Sequence, residues 1–451
     1  MPSPRCGGSA NGWWPVARPV RGPLVRARRY GALSVRPPGP FRADWWRSPL
    51  RGPWFTSVLG SVLLVGMPLL LLTGLLSYVA YNPGLGENDL TPGSGITGVF
   101  PAWPTSPSWL YRLNQGTHVT VGIILVPVVL AKLWSVMPKL FAWPPVRSAS
   151  QALERLSVAL LVGSVVFEIV TGLLNIQYWY VFPSSFYAAH LYGAYVFAGA
   201  FVVHVGLKLA TLRRSLRERP VRPELSRGLD DFTQDTPDDT GLVAPAPREP
   251  TISRRGALGL VGSGSALLLV LSAGQNLGGW VRDVALLSPR GRPTSGGPNA
   301  FPVNKTAEGR GITPEQIGPD WRLTLRGAGD EQTFSREDLL ALPQHEAGLA
   351  IACVEGWSTG VQAWSGVRLR DLAALAGTPD ASSVFVESVE GSTFGSTTLR
   401  GNQVADGDAL LALGVNGVDL SDDHGFPARV VVPANPGVHN TKWVSRLTFA
   451  A

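Results

Sequence analysis

Only two cysteines occur in the 451 residues, Cys6 and Cys353. Cys6 sits in an arginine-rich N-terminus, so a disulfide framework is excluded by arithmetic. Charge is scarce as well: 16% of residues are Asp, Glu, Lys or Arg, against 45% apolar. Together with long apolar runs, that scarcity points to a membrane protein. The net charge of +7 comes from basic residues clustered beside apolar runs rather than in a stripe, which argues against nucleic-acid binding. Glutamate and asparagine inside the apolar runs are few (Glu168, Asn175) and form no charged relay, which argues against a transporter.

Five runs reach the length of about 20 residues that a bilayer requires. They cover about 54–80, 113–136, 153–175, 187–210 and 256–274. Arg26, Arg28, Arg29, Arg36, Arg42, Arg47 and Arg51 precede the first run. Lys132, Lys139 and Arg147 end the second and Arg155 starts the third, and Arg213, Arg214, Arg217 and Arg219 follow the fourth. All of these face the cytoplasm when the N-terminus is inside. The loops of about 82–112 and 176–186 then face outward with Trp103, Trp109, Tyr178, Trp179 and Tyr180, as an interfacial belt does.

The chain divides accordingly into a basic, poorly ordered cytoplasmic N-terminus (1–50) and an all-α four-helix transmembrane domain (51–215). A cytoplasmic Pro-rich, acidic linker (216–252) with too little apolar surface to fold alone leads to an anchor helix (253–275). A mixed α+β domain (295–451) completes the chain. Ser253-Arg254-Arg255-Gly256 ahead of the fifth run has two readings, a twin-arginine export signal or plain positive-inside flanking. Both place the C-terminal domain outside the cytoplasm of a bacterial cell, with the multi-pass segment in the plasma membrane. No small-x-small cleavage pattern follows, so the segment is expected to stay as an anchor.

Three of six histidines, His118, His190 and His204, fall in membrane runs, where ionisable residues are functional hypotheses by default. The second and fourth runs point the same way, and His118 and His190 both lie a few residues below their outer ends. Their side chains can meet at one depth, as bis-imidazole ligation of a haem iron requires. The other reading is an interhelical hydrogen bond. His204 lies 14 residues beyond His190, about 21 Å deeper on the same helix face. The residue 14 beyond His118 is Lys132, so a second haem lacks its partner ligand. One haem b is expected, with His204 left over. Gly116, Gly122, Gly163, Gly172, Gly193 and Gly199 allow close helix approach, for a macrocycle or for packing alone. Over about 50–215 the order of spans and the paired histidines resemble the cytochrome b561 and hydrogenase-type b-haem membrane subunits.

The C-terminal domain alternates short β-type runs (383–388, 428–432, 443–447) with short helices at Ser335–Leu342 and Leu369–Ala376; Ser335 with Asp338 forms a capping signature. A lone thiol, Cys353, in an otherwise cysteine-free exported domain reads as reactive or metal-bound, or else as a small buried hydrophobe. Phe301-Pro302-Val303-Asn304-Lys305-Thr306, Cys353-Val354-Glu355-Gly356-Trp357-Ser358, Trp364 to Leu372, His424 to Pro433 and Asn440-Thr441-Lys442-Trp443 together resemble the sulfite-oxidase family of molybdenum enzymes. That resemblance implies Mo-molybdopterin with Cys353 as the thiolate on molybdenum. It implies charge from Arg429 and Lys442, hydrogen bonds from His424, Asn304, Asn440 and Thr441, flanking positions Lys305 and Thr306, and a hydroxyl contact from Ser388.

Sulfite oxidases proper carry arginines just after the cysteine, where this sequence has Glu355-Gly356-Trp357-Ser358. An acidic residue repels a dianion. The run is closer to the periplasmic methionine-sulfoxide reductase branch, which works with a haem-bearing membrane partner. The sequence therefore suggests an oxidoreductase held in membrane lipid that carries electrons from a membrane donor such as a quinol, through haem, to molybdenum and a sulfoxide-type substrate. Alternatives are sulfite-oxidase-like oxidation of an external donor with electrons passed inward, a non-catalytic electron-transfer cytochrome, or a sensor with a β-rich ectodomain.

Overall fold

The computed structural model describes residues 38–81, 102–146, 148–177, 179, 181, 186–237, 241–288 and 296–451. Cys6, the arginines from Arg26 to Arg36, Arg147, Tyr178, Tyr180 and most of the first outward loop lie outside the described residues. Four long helices form a bundle: α1 (Pro53–Tyr81), α2 (Leu110–Leu140), α3 (Ala149–Ile176) and α4 (Phe186–Glu218). Helix α1 packs on α2 and α4, and α3 packs on α4 and α2. A short α5 (Val221–Ser226) follows, and then α6 (Arg254–Ser272), which lies along α2 and runs on to α7 (Gly274–Leu277). Ser253 caps α6 by accepting the Gly256 N–H at 3.1 Å.

Among the described residues five helices are long and apolar enough to cross a membrane. Their outward side chains support that role. Val65, Leu153, Val202 and Leu260 are 68–72% exposed, a cost in water that acyl chains remove.

The linker does not stand apart from the fold. Arg254 is buried at the end of α6, and Glu224 of α5 accepts from it at 2.5 Å while Asp235 does so at 3.0 Å. Arg219 and Arg227 complete the cluster on the same two carboxylates. A buried guanidinium needs such partners, so acidic residues that cannot form a core of their own dock onto the anchor helix instead.

The C-terminal domain contains α8 (Pro314–Ile317), β1 (Leu323–Arg326), β2 (Gln332–Phe334), α9 (Arg336–Ala341), β3 (His345–Leu349), β4 (Gln362–Arg368) and α10 (Leu369–Leu375). It continues with β5 (Ser383–Ser388), β6 (Ser396–Arg400), α11 (Gly401–Ala405), β7 (Leu410–Val415), β8 (Val418–Asp419), β9 (Arg429–Val431) and β10 (Val444–Ala450). One sheet runs β2-β1-β10-β5-β6, and the other runs β3-β4-β7-β8 with β9 also on β7. Among the described strands only β1 and β10 pair in parallel. Leu323 and Leu325 of β1, Val384 and Val386 of β5, Leu411 and Leu413 of β7, and Leu369 and Leu372 of α10 share one core. Every residue of β7 is buried, as a strand covered on both faces must be. Ser335 caps α9 reciprocally with Asp338, at 3.1 and 2.9 Å.

Candidate active site

Cys353 lies in the connection from β3 to β4. The turn is closed by Cys353 N–H on the Trp357 carbonyl at 2.8 Å and by Gly356 N–H on the Cys353 carbonyl at 3.1 Å. Gly356 has φ +90°, a left-handed conformation that glycine adopts without penalty. The thiol is 5% exposed and donates to the Glu355 carboxylate. Burial first, then the neighbouring Glu355 charge, push it well above its ordinary range. Cys353 is thus a protonated, buried thiol that needs a cation to become a thiolate.

It opens on a cavity of about 830 Å³. Asn304, Lys305, Thr306, His424, Arg429, Asn440, Thr441 and Lys442 all line it. Arg429 donates to the carbonyls of His424 (2.9 Å) and Asn440 (3.0 Å), and its pKa falls to about 9 through burial. Lys442 donates to the carbonyls of Lys305 and Asp423, and burial, then repulsion from Arg429, bring its pKa down to about 7. Neither cation has a carboxylate in ion-pair contact among the described residues. Arg429 Nε and Thr441 Oγ1 are buried without a hydrogen-bond partner among them. Two uncompensated cations and two unused polar atoms around one cavity fit an anionic, phosphate-bearing cofactor.

Other site residues have different tasks. Asn440 spends its side chain on Val432 N–H (2.7 Å) and the Pro436 carbonyl (3.2 Å), so it shapes the loop. The His424 ring lies 3.8 Å from that of Phe301, tilted by 53°, and is held neutral, its pKa lowered to about 4 by burial and then by Arg429. Ser388 is not in the cavity wall. It ends β5, where its hydroxyl accepts the Glu390 N–H at 3.0 Å. Glu390 lines the cavity in its place and pairs with Arg310 at 3.2 Å. The register explains the shift: Ser388 lies opposite Val444, inside the sheet.

A second cavity lies within the helix bundle, and His118 and His190 both line it. Their ring centroids are 6.2 Å apart. Two imidazoles bound to opposite sides of one metal through bonds of about 2 Å have this separation, given the size of the ring. The supports are paired too. His118 Nδ1 lies 3.1 Å from Leu70 O and 3.1 Å from Thr73 Oγ1. His190 Nδ1 lies 2.9 Å from Thr171 Oγ1, with Glu168 Oε2 at 3.2 Å. Both threonine hydroxyls already donate to helix carbonyls, Leu69 and Phe167, at 2.8 Å. Each therefore accepts from Nδ1–H, which leaves each Nε2 with its lone pair free for a metal.

Gly74 and Gly172 complete the pairing. A Cβ there would lie 3.1 Å from His118 Cε1 and 3.6 Å from His190 Cε1. Thr73-Gly74-Leu75-Leu76 of α1 recurs as Thr171-Gly172-Leu173-Leu174 of α3. That repeated string is the signal that identifies these supports. Of the other glycines, Gly122 lines the cavity, whereas Gly163 and Gly199 face open space. His204 lies apart, in a third cavity.

The first two cavities adjoin. Asn175, Phe186, Tyr187 and Val354 belong to the walls of both. The Val354 carbonyl accepts from Gln115 of α2. His439 donates to the last carbonyls of α1, Ala80 at 3.2 Å and Tyr81 at 2.8 Å, and so satisfies groups that a helix end leaves unpaired. Trp103 donates to the Ala434 carbonyl at 2.7 Å.

A family model described as "oxidoreductase molybdopterin binding domain" matches residues 310–451. The mitochondrial sulfite oxidase of Drosophila melanogaster is 32% identical over 166 residues, 31% of this chain and 28% of that protein. The chain thus spans less than a third of that relative's length. The uncharacterized oxidoreductase YuiH of Bacillus subtilis is 33% identical over 164 residues, 36% of this chain and 80% of YuiH. The sulfane dehydrogenase SoxCD of Paracoccus pantotrophus is 25% identical over 35% of this chain and 48% of its own, at a TM-score of 0.28, too low to speak for a common fold. The match falls on the half of the chain that holds Cys353 and its uncompensated cations, and it covers most of YuiH: the chain belongs to the molybdopterin-binding oxidoreductases of the sulfite-oxidase family.

Proposed function

We propose that this protein is a membrane-anchored reductase in which a b-type haem between His118 and His190 feeds a molybdenum centre at Cys353, outside the cytoplasm. The adjacency of the two cavities, which share Asn175, Phe186, Tyr187 and Val354, carries the reading. Molybdopterin supplies oxygen-atom transfer at its metal, and haem supplies one-electron relay.

The chain's own residues do the rest. Arg429 and Lys442 neutralise the cofactor phosphate, with Thr441 Oγ1 free to donate to it. Cys353 would give up its proton on ligating the metal, and the Glu355 carboxylate is in contact with it. Thr73 and Thr171 hold Nδ1–H of the two histidines, so that Nε2 ligates.

Glu355 also bears on substrate. A buried acidic residue beside Cys353 disfavours a dianionic donor such as sulfite and favours a neutral sulfoxide. The twin-arginine reading of Arg254-Arg255, the N-in orientation and a quinol donor belong to the same proposal. The test is the purified full chain assayed for molybdenum, b-type haem and sulfoxide-dependent reoxidation of the reduced haem band. Cys353→Ser is expected to abolish reoxidation and leave the haem spectrum intact, whereas His118→Ala or His190→Ala removes the haem. Unchanged reoxidation in Cys353→Ser, or sulfite turnover without sulfoxide turnover, overturns the reading.

A further inference from the structure

The cavity that holds His204 has a volume of about 540 Å³ and lies between α1, α2, α3 and α4. Its wall is apolar along Leu63, Val136, Val162 and Phe201 and polar at one end, with Lys132, His204 and the Lys139/Glu154/Lys208 group. Glu154 accepts from Lys208 at 2.9 Å and pairs with Lys139 at 3.6 Å, so those charges are spent on each other. Lys132 donates to the Thr56 carbonyl at 2.6 Å. His204 has no hydrogen bond among the described residues.

Lys132 and His204 each stand 14 residues beyond His118 and His190 on the same two helices. The bundle therefore repeats its upper site one level down, with a lysine where the second imidazole would be. An ammonium is a poor partner for a haem iron but a good hydrogen-bond donor. Met67, Val129, Val165 and Phe197 line both this cavity and the one between His118 and His190. A single layer of apolar side chains therefore separates the two.

We propose that this cavity binds a hydroquinone, its ring at His204 and Lys132 and its apolar tail along Leu63 and Val162. The assignment rests on the proposed function only for where the electrons go. Each quinol O–H bond breaks, and the two protons pass in turn through the His204 imidazole to water at the basic end. Oxidation of the quinol to quinone would release two electrons, one at a time, to the b-type haem that His118 and His190 would hold, which would pass the first on to the proposed molybdenum centre before accepting the second.

The test uses the full chain in phosphatidylcholine nanodiscs, titrated calorimetrically with decylubiquinone, so that binding is read apart from turnover. Haem per chain is counted for each variant. His204→Ala, which removes a hydrogen-bonding group, and Val162→Trp, which fills the tail region, are each expected to weaken binding by about tenfold or more while one haem per chain remains. Unchanged affinity in both variants overturns the proposal. So does a wild-type count of two haems of which His204→Ala removes one, or phosphatidylglycerol binding that decylubiquinone does not displace. A wild-type protein that binds decylubiquinone but holds no haem leaves this site standing and defeats the assignment of His118 and His190.

Discussion

Replacing Gly356 by alanine tests whether the Cys353 turn and helix α2 are mechanically coupled. Two separable penalties follow from the geometry. The first is the backbone, whose φ of +90° costs a non-glycine residue about 1–3 kcal/mol. The second is steric: the new Cβ would lie 2.5–2.7 Å from Cγ2, Cβ and Cγ1 of Val119, and overpacking of that kind costs about 1–3 kcal/mol. Val119 follows His118 on α2, and Gly356 closes the turn on Cys353, so relief of the clash moves one site relative to the other. If the steric term falls on the docked arrangement alone, the rate at which sulfoxide reoxidises the haem band falls by roughly 5- to 150-fold. Val119→Gly removes all three opposing carbons and the steric term, at a helix-propensity cost of about 0.3–0.5 kcal/mol that cancels in a double-mutant cycle. The φ term stays. The cycle, read in both reoxidation rate and Tm of the full chain, is therefore expected to return a coupling of about 1–3 kcal/mol. Additive effects, or a Gly356→Ala protein that transfers electrons at the wild-type rate, refute the coupling.

Three further outcomes are expected. Thr73→Val and Thr171→Val each remove one of two acceptors near an Nδ1–H and leave Leu70 O or Glu168 Oε2, a loss of up to about 1 kcal/mol; both should alter the haem electron-paramagnetic-resonance spectrum without emptying the site, and an unaltered spectrum in both rejects the threonine assignment. In the cofactor-free protein Lys442 loses its proton near pH 7, whereas in the unfolded chain it keeps it to its ordinary 10.5. Between those values the unfolded state binds more protons, so Lys442 should add stability to the cofactor-free protein as pH rises from about 7 toward 10.5; the Tm of wild type minus that of Lys442→Met should grow over this window, and a difference that shrinks counts against the buried cation. Arg429→Met should lower molybdopterin content by more than tenfold, as loss of a charge-assisted pair of about 1.5–3 kcal/mol predicts, with haem per chain unchanged; retained molybdenum would place the phosphate elsewhere.

Much of this was legible in the sequence because local patterns carry it. The expected strand at 383–388 is β5, and the helices at Ser335–Leu342 and Leu369–Ala376 match α9 and α10 to within a residue at each end. Alternation and caps are local signals, and nothing distant overrides them there. The residues expected around Cys353 converge because His424, Arg429 and Lys442 flank the short strands β9 and β10, whose pairing partners draw them to one cavity. The misses are tertiary. Ser388 fell one turn short of the cavity because register, not composition, decides which residue past β5 faces inward, and Glu390 takes that place. His439 reaches α1 across 358 residues of sequence, a distance over which no periodicity speaks. The docking of the acidic linker on Arg254 required knowing that this guanidinium is buried. Thr73 and Thr171 were readable from the repeated Thr-Gly-Leu-Leu string, whose meaning appears only when both copies are seen to carry a histidine.

The contacts between the two halves bear on why one chain holds both. Side-chain donors on backbone carbonyls join them: His439 on Ala80 and Tyr81, Gln115 on Val354, Trp103 on Ala434. His439 is buried and its pKa is lowered to about 4 by that burial, so the ring stays neutral. Its Nδ1, 2.6 Å from Thr397 Oγ1, is the acceptor that leaves Nε2–H to donate. Such bonds carry no net charge and are little screened by salt, unlike the charge-steered contacts of transient redox partners. They also require tight, dry packing, which a brief collision does not provide. A partner that must dock and leave is better served by charges at a rim. A permanently seated domain is better served by neutral bonds, as those of His439, Gln115 and Trp103 are, and Arg282 adds one charged donor on the Ser358 carbonyl. On the proposed function, exchange between the Cys353 cavity and the histidine cavity would then run across their shared wall of Asn175, Phe186, Tyr187 and Val354 rather than depend on encounter.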